Sequence, residues 1–332
     1  MDAARGGSRD GRGARRGSMR RHRTFEGLTE SDRGAAVAIG NFDGVHLGHQ
    51  SVLAIARAAA AERDAPLGVV TFEPHPRCFF QPEGPPFRLM NAEARAHRLE
   101  KLGVEQLYEI PFDADLASMT AEAFVERVLV AGLGIRHLVA GADFRFGKGR
   151  AGDGGLLRAM GVRHGFGVTR APLVSEAGGG VSSTAIRRAL SEGRPEAAAR
   201  MLGHWHRIEG AVEHGDKRGR TLGFPTANIA LGDLHPPRFG IYAVVVDVLD
   251  GPHRGRWRGA ASVGERPTFG VNLPNLEVYL MDFAGDLYGA QLSVALVAFL
   301  RPELRFESVE ALVEQMRADV AEARARLAAA GF

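Results

Sequence analysis

The sequence has one cysteine in 332 residues, no long apolar run and no segment that resembles a secretory signal. A lone thiol, Cys78, cannot form an intramolecular disulfide or a cysteine-built zinc site, and it suits a reducing compartment. A membrane-spanning helix needs roughly 18 or more consecutive apolar residues, whereas the longest runs are as short as Ser293–Leu300. These absences exclude a disulfide scaffold and a membrane-embedded protein, so we expect a cytoplasmic location and no membrane partner.

The positive charge is concentrated at one end of the chain. The net charge is +3, but residues 1–23 carry eight arginines against Asp2 and Asp10, and the remainder has a net charge of −3. This start is rich in glycine, arginine and serine and poor in apolar residues, which predicts a disordered tail over 1–23. Because its glycines spoil an amphipathic helix and it offers no aromatic ring for base stacking, we expect no nucleic-acid partner.

The length predicts two domains, since single domains usually contain ~100 to 200 residues. From Ala35 to Leu190, strand-like and helix-like segments alternate, which predicts a parallel sheet with helices on both faces. The expected strands are 35–39, 67–72, 105–110, 137–140 and 167–171, and the expected helices include 121–131. Further on, six strand-like segments and one amphipathic helix predict a small antiparallel β-barrel with a C-terminal helix. The expected divisions are an α/β domain over 24–192, a connector over 193–203 and the barrel over 204–332.

The segment Gly40–His49 follows the first expected strand and begins the first expected helix. Glycines at its start let the backbone approach a ligand, and the free N–H groups of a helix N-terminus favour phosphate. His46 and His49 lie three residues apart on one side of that turn, where they can donate hydrogen bonds to phosphate oxygens. Two alternatives stay open: a zinc site with His75 as third ligand, or two histidines that only cap a helix.

A second candidate phosphate site is Val181–Arg187. Its three hydroxyls at a helix start are typical of ordinary N-caps, but together with Arg187 they can also surround a phosphate. Between the two motifs, Gly141–Lys148 has five residues between its glycines and no serine or threonine after the lysine. It therefore fails the spacing of a phosphate-binding P-loop.

In the second half, a long polar loop leads into the strand that contains Thr226 and Asn228. These residues alternate onto one face, where their uncharged oxygens can bind Mg²⁺ that travels with ATP. Glu277 lies on the opposite face of its strand from Val278, and a carboxylate there can accept a hydroxyl proton. A plain surface loop and a solvent-facing glutamate are the alternatives.

The motifs together resemble a known family. GNFDGVHLGH at 40–49, TFEPHP at 71–76, GADFRFGKGR at 141–150 and VSSTAIR at 181–187 resemble the adenylyltransferase module of bacterial bifunctional FAD synthetases, within the nucleotidyltransferase superfamily. GRTLGFPTANI at 219–229, FGIYAVVV at 239–246 and LEVYLMDFAGDLYG at 276–289 resemble its riboflavin kinase domain. The resemblance covers nearly all of the chain after the tail.

This resemblance implies a Rossmann-like nucleotidyltransferase domain and a six-stranded riboflavin kinase barrel. It implies that riboflavin and ATP give FMN and ADP in the second domain, and that FMN and ATP give FAD and pyrophosphate in the first. By motif matching, the catalytic residues are Glu277 as kinase base, and His46, His49 and Arg187 for adenylyl transfer. The implied ATP-binding residues are Gly40, Asn41, Phe42, Asp43, Gly44, Gly141, Asp143, Ser182, Ser183, Thr184, Gly219, Arg220, Gly223 and Pro225.

The remaining implied roles concern flavin, metal and partners. Phe72 and Phe144 would line the flavin, although Phe72 equally suits an ordinary core position. Thr226 and Asn228 would hold Mg²⁺ with ATP, and no redox cofactor is expected because flavins are substrate and product. The expected partners are riboflavin, FMN, FAD and ATP, bound by a monomer. Two other hypotheses are a chain with only one active half and a flavin-sensing, nucleic-acid-binding regulator.

Overall fold

The computed structural model describes residues 18–172, 175–176, 179–214, 222–268 and 271–332. The first sheet contains six parallel strands in the order β1-β4-β3-β2-β5-β6. Its strands are β1 (Arg20–His22), β2 (Ala36–Ile39), β3 (Leu67–Glu73), β4 (Gln106–Pro111), β5 (His137–Gly141) and β6 (Gly167–Ala171). The parallel sheet predicted from the sequence is therefore confirmed.

Helices cover both faces of this sheet. They are α1 (Leu47–Glu62), α2 (Pro76–Phe80), α3 (Ala92–Lys101), α4 (Ala114–Ser118), α5 (Ala121–Ala123), α6 (Gly154–His164) and α7 (Ser183–Ser191). A π-helix, Phe124–Gly132, continues α5. Alternate residues of β2 face opposite layers: Val37 and Ile39 pack with the π-helix side, and Ala36 and Ala38 pack under α1.

The strand order creates a switch point in the first sheet. From β2 the chain proceeds through β3 and β4 on one side, and then returns to place β5 on the other side of β2. In open α/β sheets the crevice beyond the carboxyl ends of such strands binds the ligand. The segments after β2 and β5 are the motifs that begin at Gly40 and Gly141.

The prediction of a disordered tail over 1–23 is wrong for its last residues, because β1 pairs in parallel with β4 at the edge of the sheet. Arg21 explains why this charged segment is ordered: its Nε donates to Glu109 Oε2 at 2.5 Å, and its Nη1 donates to Glu93 Oε2 at 2.6 Å. The side chain of Glu109 is only 2% exposed, so Arg21 neutralises a buried carboxylate. Residues 1–17 lie outside the described residues.

The second sheet is antiparallel, in the order β10-β13-β12-β11-β14-β9. Its strands are β9 (Arg207–Ala211), β10 (Thr226–Ala230), β11 (Gly240–Val248), β12 (Gly255–Thr268), β13 (Val271–Leu280) and β14 (Gln291–Arg301). A bridge in which Glu213 N donates to Asn228 O at 2.8 Å brings the two edges together, so the sheet forms a nearly closed barrel. A short antiparallel pair, β7 (Ser175–Glu176) and β8 (Gly179–Gly180), precedes α7 in the first unit.

Two helices complete the fold. The connector contains α8 (Pro195–Leu202), which packs on α7 through Leu190, Ala198 and Leu202. The C-terminal helix α9 (Val309–Ala329) covers the outer face of the barrel through Ala323 and Leu327. Among the described residues, no helix combines the length and the apolar character that crossing a membrane requires.

Candidate active sites

The turn after β2 has an unusual backbone. Phe42 (φ 52°) and Val45 (φ 45°) lie in the left-handed region, which bulky and β-branched residues rarely adopt and which recurs at functional sites. Gly44 (φ 87°) permits the close packing behind them: a Cβ there would lie 2.8 Å from Leu89 Cδ1. The turn therefore holds a strained conformation at the switch point of the sheet.

His46 and His49 form a stacked pair at the start of α1. Their ring centroids lie 3.7 Å apart, and His46 Nδ1 accepts a hydrogen bond from His49 N at 3.3 Å. This capping bond assigns the ring proton of His46 to Nε2, which is then a hydrogen-bond donor. Burial lowers the pKa of His46 to about 4, and burial together with His46 lowers the pKa of His49 well below its usual value. The pair is therefore neutral at pH 7.

The histidine pair has capacity left for a ligand. His49 Nδ1 is buried and has no hydrogen-bond partner among the described residues. His75, the third ligand of the zinc alternative, instead caps α2 and lies against the ring of Phe87. Within the described ranges, no three histidine, cysteine or acidic side chains are grouped to hold a metal. The geometry suits hydrogen bonding to an anion rather than zinc coordination.

Asp43 is buried in the site and accepts several hydrogen bonds. Its Oδ1 accepts from Leu89 N at 2.7 Å and from Met90 N at 3.3 Å, and its Oδ2 accepts from Arg187 Nη1 at 2.9 Å. Burial raises the pKa of this carboxyl, whereas Leu89 N and Arg187 oppose that shift. Because these contacts occupy both carboxylate oxygens, Asp43 is placed to hold the turn and Arg187 together. The sequence motif alone did not distinguish this arrangement from direct contact with ATP.

The N-terminus of α7 lies beside that of α1. Ser183 Oγ donates to Asp43 O at 3.0 Å, and Ser182 caps α7 by accepting from Ala185 N. A Cβ on Gly48 would lie 3.9 Å from Val181 O, which shows how closely the two first turns approach. Thr184 is exposed in this first turn. Two helix N-termini thus offer free N–H groups and two positive dipole ends to one region, which favours a polyphosphate.

The predicted flavin residues occupy different surroundings. Phe72 is 8% exposed and contacts Phe112 and Phe124 in the core of the first unit. Phe144 is half-buried after β5, where it stacks on Phe146 beside the exposed Asp143. An aromatic cluster that we did not predict adjoins Phe72: the rings of Phe79, Phe80 and Phe112 contact one another, and Phe80 is 64% exposed. The sequence signal was the pair of phenylalanines that follows TFEPHP.

In the barrel, the expected kinase residues meet across two strands. Asn228 of β10 pairs with Glu277 of β13, and Thr226 lies two residues along the same strand and so on the same face. Glu277 is exposed, whereas Asn228 is buried. Asn275, which we did not predict, donates from Nδ2 to Asn228 Oδ1 at 3.0 Å and fixes that amide.

The loop before β10 is described only in part. Gly223 has a φ of 84°, which favours glycine, and the exposed Pro225 directly precedes the strand. Gly219 and Arg220 lie outside the described residues. The donor set of Thr226 and Asn228 consists of neutral oxygens, and Asn228 Oδ1 retains a second lone pair beyond its bond to Asn275. Such a set fits a Mg²⁺ ion that is bound mainly by phosphate oxygens.

Comparison with known proteins gives two family matches. Residues 28–185 match the FAD synthetase family, and residues 202–327 match the riboflavin kinase family. A bifunctional riboflavin kinase/FMN adenylyltransferase from Pseudomonas fluorescens is 46% identical over 304 residues, which cover 91% of this chain and 96% of the relative. Its counterpart from Escherichia coli K12 is 40% identical over 292 residues, or 88% of this chain and 92% of the relative.

A solved structure has the same fold over both units. It is described as a macrolide-efflux protein from Streptococcus pneumoniae, and it aligns with a TM-score of 0.77 and 32% identity over 91% of this chain and 97% of that one. Its description differs from the names of the relatives. The two family matches and the relatives with higher identity agree with one another and with the motifs at the two sites.

Proposed function

Because the chain belongs to the bifunctional riboflavin kinase/FMN adenylyltransferase family, we propose that each of its two sheets carries one of the two reactions. The chain is a transferase with both activities, and its small-molecule substrates and products are riboflavin, FMN, ATP and FAD. One observation carries the division between sheets. The stacked histidines and the paired helix N-termini belong to the parallel sheet, whereas Thr226, Asn228 and Glu277 share a face of the barrel.

In adenylyl transfer, a phosphate oxygen of FMN forms a bond to the α-phosphorus of ATP while the bond to pyrophosphate breaks. The N-termini of α1 and α7 hold the phosphates, and the hydroxyls of residues 182–184 lie among those N–H groups. His46 donates from Nε2 to an oxygen of the reacting phosphate, where negative charge increases in the transition state. Being neutral, His46 has its single ring proton fixed on that nitrogen by the capping bond to His49 N.

In the kinase reaction, the ribityl hydroxyl oxygen of riboflavin forms a bond to the γ-phosphorus of ATP, and ADP leaves. Glu277 accepts the proton of that hydroxyl. Thr226 and Asn228 would hold Mg²⁺, which neutralises phosphate charge when it is bound with ATP. Asn275 holds the Asn228 amide in place through the 3.0 Å bond, so it positions one of the two oxygen donors.

The domain limits follow from this division. We assign adenylyl transfer to residues 24–192, to which β1 adds an edge strand, and the kinase to residues 204–332, with 193–203 as the connector. We also propose that the protein is a monomer located in the cytoplasm. The direct test is to incubate the purified protein with riboflavin and Mg·ATP and to separate the flavins by chromatography. Formation of FMN followed by FAD supports the proposal. Formation of FMN alone would favour a chain in which only the kinase half is active, and formation of FAD only when FMN is supplied would favour the other half alone. No conversion of either riboflavin or added FMN would favour a flavin-binding regulator.

A further inference from the structure

A segment of the barrel unit, residues 233–235, joins the backbone of the adenylyltransferase unit. Phe87 N and Arg88 N both donate to Asp233 O at 3.2 Å, and His235 N donates to Arg88 O at 2.8 Å. Arg88 and Leu234 therefore form a parallel bridge between the two units. These bonds hold the backbone at residues 87–88 from the other unit.

The bonded stretch leads directly to Asp43 in the adenylyltransferase site. Phe87 O accepts from Arg187 Nη1 at 3.2 Å, and the next two residues, Leu89 and Met90, donate their N–H groups to Asp43. Arg187 and Asp43 in turn share an ion pair of 2.9 Å. A shift of the barrel segment would therefore move the partners of both residues.

His235 makes a second connection, to α7 itself. Its Nε2 lies 3.0 Å from Arg187 O and 2.9 Å from Ser191 Oγ. Since a carbonyl oxygen only accepts, the ring proton lies on Nε2 and His235 donates to the backbone of the residue that pairs with Asp43. Burial lowers the pKa of His235, so the ring is neutral at pH 7. Arg238 N donates to Leu190 O at 2.9 Å and extends the contact along α7.

A buried ion pair of the first unit lies beside the same junction. The side chain of Arg88, 6% exposed, donates to both carboxylate oxygens of Glu73 at 2.6 and 3.0 Å. Its Nη1 lies 3.5 Å from Asp233 Oδ2 of the barrel unit. Glu73 ends β3, next to the turn that contains His75, so this contact also reaches the carboxyl edge of the first sheet.

We propose that residues 233–235 of the kinase unit are a positioning element for adenylyl transfer, with His235 as the side chain that holds Arg187 and α7. This inference rests on the proposed assignment of the adenylyltransferase site. It predicts an asymmetry between the two reactions: adenylyl transfer depends on the contact with the barrel, whereas the kinase site uses β10 and β13 and does not depend on His235.

The test uses the full-length protein with His235→Ala, His235→Gln and a control, His253→Ala, which changes a histidine between β11 and β12 of the same unit. For each, kcat and KM are measured for FAD formation from FMN and ATP and for FMN formation from riboflavin. His235→Ala should lower kcat for FAD formation about 3- to 10-fold, the loss of one or two hydrogen bonds, with FMN formation unchanged. His235→Gln, whose amide can donate to Arg187 O, should recover most of the loss, and His253→Ala should match the wild type.

Other outcomes overturn the inference. An equal loss in both reactions would indicate a merely structural role, and an FAD rate within 2-fold of the wild type would show that the contact is not needed. If His235→Ala does not fold, Asp233→Asn removes only the charge facing Arg88, and an FAD rate equal to the wild type in that variant would count against the inference. A wild-type protein that makes no FAD from FMN would instead overturn the proposed function and this inference with it.

Discussion

His46 carries the clearest functional expectation for a single residue. The substitution His46→Ala removes the Nε2 donor that we propose acts on the charge developing at the α-phosphate, and loss of such a donor typically costs ~10²- to 10³-fold in rate. FAD formation from FMN should fall by that factor, while riboflavin is still phosphorylated and FMN accumulates. Chromatography of the flavins over time measures both rates. Loss of both reactions in a protein that keeps its circular dichroism spectrum would contradict the assignment of His46 to one site.

Glu277 should give the opposite pattern. Glu277→Gln keeps the shape of the side chain but removes the carboxylate that we propose accepts the ribityl proton, so FMN formation should fall ~10²- to 10⁴-fold. The same variant, supplied with FMN, should form FAD at nearly the parent rate, because the stacked histidines lie on another sheet. Mixing this variant with His46→Ala should restore conversion of riboflavin to FAD through free FMN. Failure of the mixture to do so would argue against two separate sites.

The sequence motifs predicted which residue types surround each candidate site, but not how those residues contact one another. His46, Arg187 and Asp43 were predicted together, and the structure does bring them to one turn. That the Asp43 carboxylate binds Leu89, Met90 and Arg187 depends on backbone positions that no spacing reveals. Asn275 was missed for the same reason, since its contact with Asn228 requires the register of β10 against β13.

At the scale of elements, β1 is a strand in a segment whose composition predicted disorder. Its three residues are charged or polar, yet they pair with β4, and Arg21 lies against the buried carboxylate of Glu109. Arg95 also pairs with Glu109, at 2.9 Å, so removal of Arg21 would leave the carboxylate with one cation instead of two. The edge strand is therefore fixed by long-range ion pairs that a window of local sequence does not contain.

Deletion experiments can measure the contribution of β1. A chain that begins at Thr24 lacks β1 and Arg21 and should have a lower midpoint of thermal unfolding, because strand pairing and a partly buried ion pair are lost together. A chain that begins at Ser18 keeps β1 and serves as the matched control, which should unfold at the wild-type temperature. Differential scanning calorimetry of the two truncated chains compares them. Equal midpoints would show that β1 adds no stability.

The alternation of apolar segments predicted most elements closely. The strands expected at 35–39, 67–72, 105–110, 137–140 and 167–171 all occur, with bounds that differ by at most one residue. The helix expected over 121–131 instead consists of α5 and a longer π-helical segment, because apolar periodicity does not separate these helix types. The strand order with β2 between β3 and β5 could not be derived from segments alone, since the return connection leaves no local signal.

At the scale of the whole molecule, polar contacts join the two units. Asn91 Nδ2 donates to Glu209 O at 2.8 Å, and Gln50 Nε2 donates to Leu202 O of the connector at the same distance. His204, at the start of the barrel unit, lies 3.0 Å from Gly44 O in the strained turn after β2. The sequence predicted two units with separate chemistry but not this interface, because most of its residues lie in loops and at helix ends with no periodic pattern.

One contact of this interface joins a histidine to a carboxylate. His97 Nδ1 of α3 lies 2.7 Å from Glu209 Oε2 of β9, and the other oxygen of that carboxylate accepts from Ser293 Oγ. The hydrogen bond to Glu209 raises the pKa of His97 above its usual value, with Glu93 adding to the shift and burial and Lys101 opposing it. His97 is 44% exposed, so solvent screening keeps its contribution below about 1 kcal/mol.

The sign of this effect can be tested with His97→Gln, which keeps a hydrogen-bonding side chain but does not titrate. A group whose pKa is raised in the folded state adds its full stability below the unfolded pKa and loses it as the pH rises through the folded value. The free energy of unfolding of the wild type should therefore exceed that of the variant at pH 6 by more than at pH 8.5.

The quantity to measure, by urea unfolding, is the difference in the free energy of unfolding between the two proteins. Each protein alone becomes less stable as the pH falls, because burial lowers the pKa of His206 to about 3. A difference that is constant with pH, or that grows toward pH 8.5, would show that the His97–Glu209 pair does not stabilise the interface as an ion pair.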